Sequence, residues 1–290
     1  MEDANIGLVL EGGGMRGAYT CGVLEFFIER QIYFSYVIGV SAGACNAMSY
    51  ISGQKGRNEK INLNFINDKR YMSIKNFIKE GSFFGMDFIF NEIPNKHIPF
   101  DFKSFYNSSC KFLIGTTDCS TGKPIYFTKD DIDEKFNVLR ASSSLPLVSP
   151  IVKFKGYELL DGGLSDAIPI KKSIQDGNGK NIIVLTRNRN YRKTPNKLYK
   201  ILEIKYKNYP KLLKTLKYRY KNYNQTLDYI DALEKEGKVL VLRPSKPLNV
   251  ERFEKNPRKL TQLLENGYND ATKNYKKIIR FMGGENTRVI

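Results

Sequence analysis

The feature that most constrains the fold is the pentapeptide GVSAG at residues 39–43, which lies between the apolar run 34–38 and the helix-forming run 44–51. A G-x-S-x-G at a turn between a strand and a helix is how hydrolase folds expose a nucleophilic serine. The turn imposes strained backbone angles on Ser41, and the small residues Gly39 and Gly43 let strand and helix approach closely. Because so short a pattern also recurs by chance, it needs support from elsewhere in the chain.

The patterns around this pentapeptide predict a parallel sheet. Residues 6–10 form a short apolar run, residues 11–17 (EGGGMRG) a glycine-rich turn, residues 18–30 a helix and residues 34–40 a second strand. The order strand, turn, helix, strand is typical of a βαβ unit. Further strands are expected at 112–115, 125–127, 151–154, 157–160, 181–185 and 239–242. We therefore expect an α/β fold.

Composition narrows the kind of protein. With 290 residues, 41% of them hydrophobic and 27% charged, the chain is typical of a soluble globular protein with a sizeable core. No apolar run approaches the roughly 20 residues that span a bilayer, and Glu2, Asp3 and Glu11 do not fit a signal peptide. The cysteines at 21, 45, 110 and 119 are scattered, and there is one histidine. We expect a cytoplasmic protein with free thiols, no metal and no cofactor.

Positive charge is concentrated in one segment. The net charge is +17, and residues 187–224 hold thirteen Lys and Arg against one acid, Glu203. Lys and Arg alternate there with Leu, Ile and Tyr, which favours the solvated face of a helix that packs on the core. The same pattern is compatible with peripheral binding of residues 197–224 to an anionic membrane, where each basic residue contributes about 1 kcal/mol. Nucleic-acid binding is a competing non-enzymatic function, but no recognition motif is present.

The remaining regions are predicted to be mainly helical. Residues 55–108 favour helices and loops that cover one side of the sheet, Asp130 is placed to cap a helix ending near residue 139, and residues 249–290 have a helical pattern. Residues 211–236 repeat apolar positions at three- and four-residue steps, typical of a helix with one buried face. We divide the chain into residues 1–187 and a helical, strongly basic region at 188–290.

A nucleophilic serine needs a base, and two candidates are present. His97 is the only histidine, and its position two residues before Pro99 predicts a loop. The usual order Ser, acid, His would need a histidine further along the chain. Asp161 ends a short apolar strand and is followed by Gly162 and Gly163, which allow another group to approach. Partial burial would raise the pKa of this carboxyl and make it a better proton acceptor. Taken alone, the same Asp-Gly-Gly favours a simple hairpin turn.

The glycine-rich turn also has two interpretations. Residues 12–17 match the G-x-G-x-x-G of dinucleotide-binding folds, but those folds place an acid at the end of the next strand, where this chain has Ser41. Alternatively, the N–H groups of consecutive glycines at a helix N-terminus form an oxyanion hole. Arg16 adds a positive charge nearby or supports the loop.

Residues 12–17, 39–43 and 161–163 occur in the order and spacing of the patatin-like phospholipases, and residues 141–146 and 161–169 resemble the same family. The resemblance covers residues 6–187 and implies a three-layer α/β/α fold with a mainly parallel sheet. It also implies hydrolysis of lipid acyl esters by a Ser–Asp dyad, in which Ser41 attacks the ester carbonyl and Asp161 accepts its proton. The oxyanion would be held by the N–H groups of Gly12, Gly13, Gly14 and Met15.

The combined motifs predict a serine acyl hydrolase of the lipase or phospholipase A type that acts on a lipid or phospholipid. Arg16, Gly39, Gly43, Gly162 and Gly163 are expected to support the site. The alternative is a non-catalytic protein on the same fold that binds an anionic membrane or nucleic acid. The intact Ser41, Asp161 and glycine loop argue against that alternative.

Overall fold

The fold is known from a computed structural model, which describes residues 5–247 and 249–283. Its centre is an eight-stranded sheet with the order β5-β6-β3-β2-β1-β7-β8, and β4 also pairs with β3. The five strands β1, β2, β3, β7 and β8 pair in parallel. Strands β4 and β6 each pair antiparallel with β3, and β5 pairs antiparallel with β6. The strands are β1 (Ile6–Leu10), β2 (Tyr36–Val40), β3 (Lys111–Asp118), β4 (Pro124–Thr128), β5 (Val152–Phe154), β6 (Tyr157–Asp161), β7 (Lys180–Val184) and β8 (Val239–Leu242).

Helices cover both faces of this sheet. Leu8 and Leu10 of β1 pack in one core, whereas Val9 packs in a second core on the opposite face, as the alternation of a strand requires. The α-helices are α1 (Ala18–Glu29), α2 (Ala42–Ile51), α3 (Arg57–Asn64), α4 (Ile74–Glu80), α5 (Phe102–Asn107), α6 (Asn137–Ser142), α7 (Ile170–Gln175), α8 (Tyr199–Lys205), α9 (Pro210–Lys235), α10 (Pro257–Lys273) and α11 (Tyr275–Phe281). The predicted α/β fold with a mainly parallel sheet is therefore confirmed.

Most predicted elements occur where they were expected, and one does not. The helix predicted from Asp130 to residue 139 is wrong: residues 129–131 form a 3-10 turn, and α6 begins only at Asn137. Thr128 and Asp131 form a capping box that uses Asp131 within this short turn. Phe136, with φ of 52°, then separates the turn from α6. The segment 55–108 is helical as predicted, with a π-helix at Phe88–His97 between α4 and α5.

The region after residue 187 is built into the fold. Strand β8 extends the parallel sheet beside β7, and α10 packs along α1. At the crossing of α1 and α10, a Cβ on Gly22 would lie 1.9 Å from the carbonyl oxygen of Leu264, and one on Gly267 would lie 2.0 Å from that of Tyr19. The two backbones can therefore meet only because both positions are glycine. The predicted division at residue 187 stays a prediction.

The last residues of the predicted C-terminal helix, 284–290, lie outside the described part of the chain, as do residues 1–4 and 248. Among the residues that the structure describes, no helix combines the length and the apolar character needed to cross a bilayer. The four cysteines are unpaired in that same part of the chain.

Candidate active site

Ser41 occupies a sharp turn between β2 and α2. Its φ and ψ of 54° and −125° are strained for a residue with a side chain, and the residue is buried. The turn is tight: a Cβ on Gly43 would lie 2.6 Å from the carbonyl oxygen of Leu10. The backbone N–H of Ser41 donates to the hydroxyl oxygen of Ser142 at 2.8 Å. The strained turn that the pentapeptide predicts is therefore present.

Strand β3 brings Asp161 beside this turn. On one side of β3, Gly115 pairs with Val40 of β2. On the other side, β4 pairs with both Gly115 and Thr116. Asp161, the β6 partner of Thr116, must therefore lie on the same side of β3 as Val40. Asp161 therefore continues the line of β2 just beyond Val40, where Ser41 begins the turn. Both side chains line one cavity.

Burial governs the electrostatics of Asp161. The side chain is buried, and this burial raises the pKa of its carboxyl, an effect partly offset by the Ser41 hydroxyl and by the positive charge of Arg219. Its Oδ1 accepts the N–H of Gly163 at 2.7 Å. Among the described residues, no contact between Ser41 and Asp161 meets both the distance and the angle limits of a hydrogen bond, although the Ser41 hydroxyl is near enough to stabilise the carboxylate. Catalytic contacts are often long before substrate binds.

The glycine loop lines the same cavity. Gly12, Gly13 and Gly14 line it, and within the described residues their N–H groups donate to no backbone acceptor outside the helices and strands. The N–H of Met15 differs, since it donates to the carbonyl oxygen of Arg252 at 3.1 Å. Of the four predicted donors, Met15 is therefore engaged elsewhere in the protein, and Met15 also lines the neighbouring apolar cavity.

That apolar cavity begins at Ser41 and runs between α2 and the segment 55–108. Its wall is formed mainly by aromatic and aliphatic side chains, among them Met48, Tyr71, Phe84, Ile89 and Phe90. An extended apolar chain attached to a group at Ser41 can be buried here away from water.

Several polar residues that support the site were not singled out from the sequence. The buried Glu11 accepts the N–H of Thr186 at 2.6 Å and the hydroxyl of Tyr223 at 2.5 Å. Ser142 donates to the carbonyl oxygen of Gly115 at 2.7 Å while it accepts from Ser41, so it links β3 to the turn. The only available signal for Ser142 was its position within the family-like stretch 141–146.

His97 lies apart from this site. It is the last residue of the π-helix Phe88–His97, so its predicted position in a loop is wrong. Its ring packs against Phe65 and Phe88, with centroid distances of 5.5 and 5.7 Å, and its Nε2 is 3.9 Å from Glu92. It lines neither cavity at Ser41. Among the described residues, no group of three or more His, Cys, Asp or Glu is arranged to hold a metal ion.

The chain has helices on both faces of its sheet and a strained serine between a parallel strand and a helix. This arrangement is that of the α/β serine hydrolase folds. Within that class, the sequence model of the patatin-like phospholipases matches residues 8–173, and the chain belongs to this family. A second model, of a domain of unknown function (DUF6363), matches residues 209–283.

Similar proteins share parts of the chain. This chain is 30% identical over 205 residues to the uncharacterized protein YjjU of Escherichia coli. The match covers 68% of this chain and 54% of that protein. This chain is 31% identical over 195 residues to the probable lipid hydrolase 463L of Invertebrate iridescent virus 6. The match covers 60% of this chain and 65% of that protein. With lysophospholipase nte1 of Aspergillus terreus it shares 28% identity over 57% of this chain and 11% of that one.

The fold resembles the crystal structure of VipD from Legionella pneumophila. The TM-score is 0.51 with 12% sequence identity, and the match covers 95% of this chain and 67% of that one. At this identity the likeness concerns the fold alone.

Proposed function

We propose that the protein is a serine acyl hydrolase that cleaves acyl esters of lipids, with Ser41 as nucleophile and Asp161 as its base. The observation that carries the proposal is the position of Ser41: it lies beside a buried carboxyl, the glycine loop and an apolar cavity. Family membership and the names of two relatives, a lipid hydrolase and a lysophospholipase, support a lipid ester as substrate.

The proposed reaction has two steps. Asp161 accepts the proton of the Ser41 hydroxyl as its Oγ attacks the ester carbonyl, and the N–H groups of Gly12, Gly13 and Gly14 stabilise the negative oxygen that forms. Asp161 returns the proton to the departing alcohol, which leaves an acyl-enzyme with its chain in the apolar cavity. Asp161 then takes a proton from water, which attacks the acyl carbonyl, and returns this proton to the departing Ser41 oxygen as the fatty acid is released.

The direct test is hydrolysis of p-nitrophenyl butyrate together with labelling by a fluorophosphonate, which modifies activated serines. We expect turnover and a label on the peptide that contains Ser41. A folded protein that neither turns over the ester nor takes up the label would contradict the proposal and favour a binding function.

The raised pKa of Asp161 predicts the acid limb of the pH profile. Only the carboxylate accepts a proton, so activity is present above this pKa and is lost as pH falls through it. Because burial raises the pKa, kcat/KM for p-nitrophenyl butyrate should fall with a midpoint above the roughly 3.9 of an ordinary aspartate. Circular dichroism at each pH separates this titration from unfolding. A midpoint at or below about 3.9 would contradict the assignment.

We further propose that α8 contacts anionic membranes. Leu198, Ile201 and Ile204 are 52%, 51% and 76% exposed, and Lys200 and Lys205 lie in the same short segment. Sedimentation with vesicles containing phosphatidylglycerol should recover the protein. Ile204→Asp should weaken this binding by about tenfold, because it removes an isoleucine that the membrane would bury. Equal sedimentation with pure phosphatidylcholine vesicles, or an unchanged Ile204→Asp variant, would rule the contact out.

A further inference from the structure

The cavity on the polar side of Ser41 carries an excess of positive charge. It also contains two carboxylates, Glu11 and Asp161. The cations come from five separate positions in the chain and are here called the cationic cluster: Arg16, Arg187, Lys193, Arg219 and Arg252.

No carboxylate of the described residues lies within 4.0 Å of a charged nitrogen of this cluster. Three members instead contact neutral groups: Arg187 lies 4.3 Å from the ring centroid of Tyr191, Lys193 lies 4.1 Å from that of Tyr223, and Arg219 donates to a backbone carbonyl oxygen at 2.6 Å. The Nε of Arg16 is buried without a hydrogen-bond partner. The cluster therefore retains capacity for an anion.

The members of the cluster also disfavour one another's charge. Burial and the charges of Arg187 and Arg252 lower the pKa of Arg16 to about 10, and burial with the charge of Arg252 lowers that of Arg219 to about 10. Burial and neighbouring arginines hold the pKa of Lys193 well below its ordinary value. An anion in the cavity would relieve this repulsion.

Most of the cluster comes from outside the segment that the patatin-like phospholipase model matches. Arg16 lies within residues 8–173, whereas the other four members follow it, and two of these, Arg219 and Arg252, lie in the segment matched by DUF6363. Arg252 is fixed against the glycine loop, because its carbonyl oxygen accepts the N–H of Met15. The C-terminal part of the chain thus surrounds the nucleophile with charge that residues 8–173 do not supply.

We propose that the cationic cluster binds the phosphate of an anionic phospholipid and selects lipids whose headgroup lacks a compensating cation. The inference rests on the proposed acyl hydrolase function. With the ester at Ser41 and the acyl chain in the apolar cavity, the headgroup is left facing the cluster. The cavity volume of about 210 Å³ far exceeds the ~15 Å³ that one water needs, so a phosphate group fits. Arginine forks match phosphate oxygens in geometry and charge.

The first experiment measures discrimination between two soluble lipids, dioctanoyl phosphatidate and dioctanoyl phosphatidylcholine, below their micelle thresholds. Wild-type protein should favour phosphatidate in kcat/KM, and Arg187→Gln and Lys193→Gln should each lower the phosphatidate-to-phosphatidylcholine ratio about tenfold. Lys277→Gln, the same charge change at an exposed position of α11, should keep the wild-type ratio. Variants that slow both lipids equally, with the ratio unchanged, would overturn the proposal.

The second experiment does not need turnover. Calorimetry on Ser41→Ala protein should show binding of sn-glycerol 3-phosphate, weakened at least about tenfold by Lys193→Gln and unchanged by Lys277→Gln. Absence of binding would overturn the headgroup site even if esters are cleaved. Binding of inorganic phosphate without lipid discrimination would identify a site for a free anion and also overturn it. Binding with no ester cleavage by wild-type protein would support the anion site and reject the hydrolase.

Discussion

Replacing Ser41 by Ala is expected to lower ester hydrolysis by on the order of 10⁶, as deletion of a nucleophile does in other serine hydrolases. Alanine retains the Cβ, so it tolerates the φ of 54° about as well as serine and leaves the hydrogen bond from residue 41 to Ser142 in place. The loss should therefore appear in activity and not in folding. The measurement is p-nitrophenyl butyrate turnover with fluorophosphonate labelling.

Ser245→Ala is the matched control, because Ser245 is exposed and lines neither cavity at Ser41. It should turn over ester and take up the label as wild type does. If Ser41→Ala keeps more than a small fraction of the activity, the nucleophile lies elsewhere.

Asp161→Asn should lower kcat by on the order of 10⁴, the scale found when the acidic member of a serine hydrolase triad is neutralised or removed. The amide has the shape of the carboxyl, and its oxygen can still accept the N–H of Gly163. It cannot accept a proton from Ser41. Because the carboxyl is buried with a raised pKa, a neutral amide should not lower thermal stability.

His97→Ala separates the two candidate bases. His97 packs on Phe65 and Phe88 away from both cavities, so the variant should keep wild-type kcat/KM within about threefold. A collapse of activity in His97→Ala together with an active Asp161→Asn would reverse the assignment.

The local elements of the site could be predicted from sequence because their causes are local. Apolar runs flanked by glycines identified β1, β2 and the turn at Ser41, and three- and four-residue steps identified α9. The proximity of Ser41 and Asp161 depends on β3, which pairs with β2 and then with β6 in adjacent positions. No periodicity in the chain encodes that change of partner, so only the family resemblance connected the two residues.

The role of the basic segment was harder to anticipate. A surplus of lysine and arginine predicts a solvated or membrane-facing surface, and most of residues 197–221 fit that prediction. Arg219 does not: it follows Leu216 by three residues and precedes Tyr223 by four, so it lies on the buried face of α9. This spacing was a usable signal that its charge points into the protein.

The bond between Met15 and Arg252 also bears on how the protein matures during synthesis. The glycine loop is synthesised before Arg252, so its N–H at Met15 has no partner until residue 252 follows. The helix that continues from the loop, α1, likewise waits for Gly267 of α10 to complete its packing. A nascent chain therefore carries the proposed nucleophile long before the surroundings of Ser41 are complete, and the proposed hydrolase activity would depend on synthesis of the C-terminal helices.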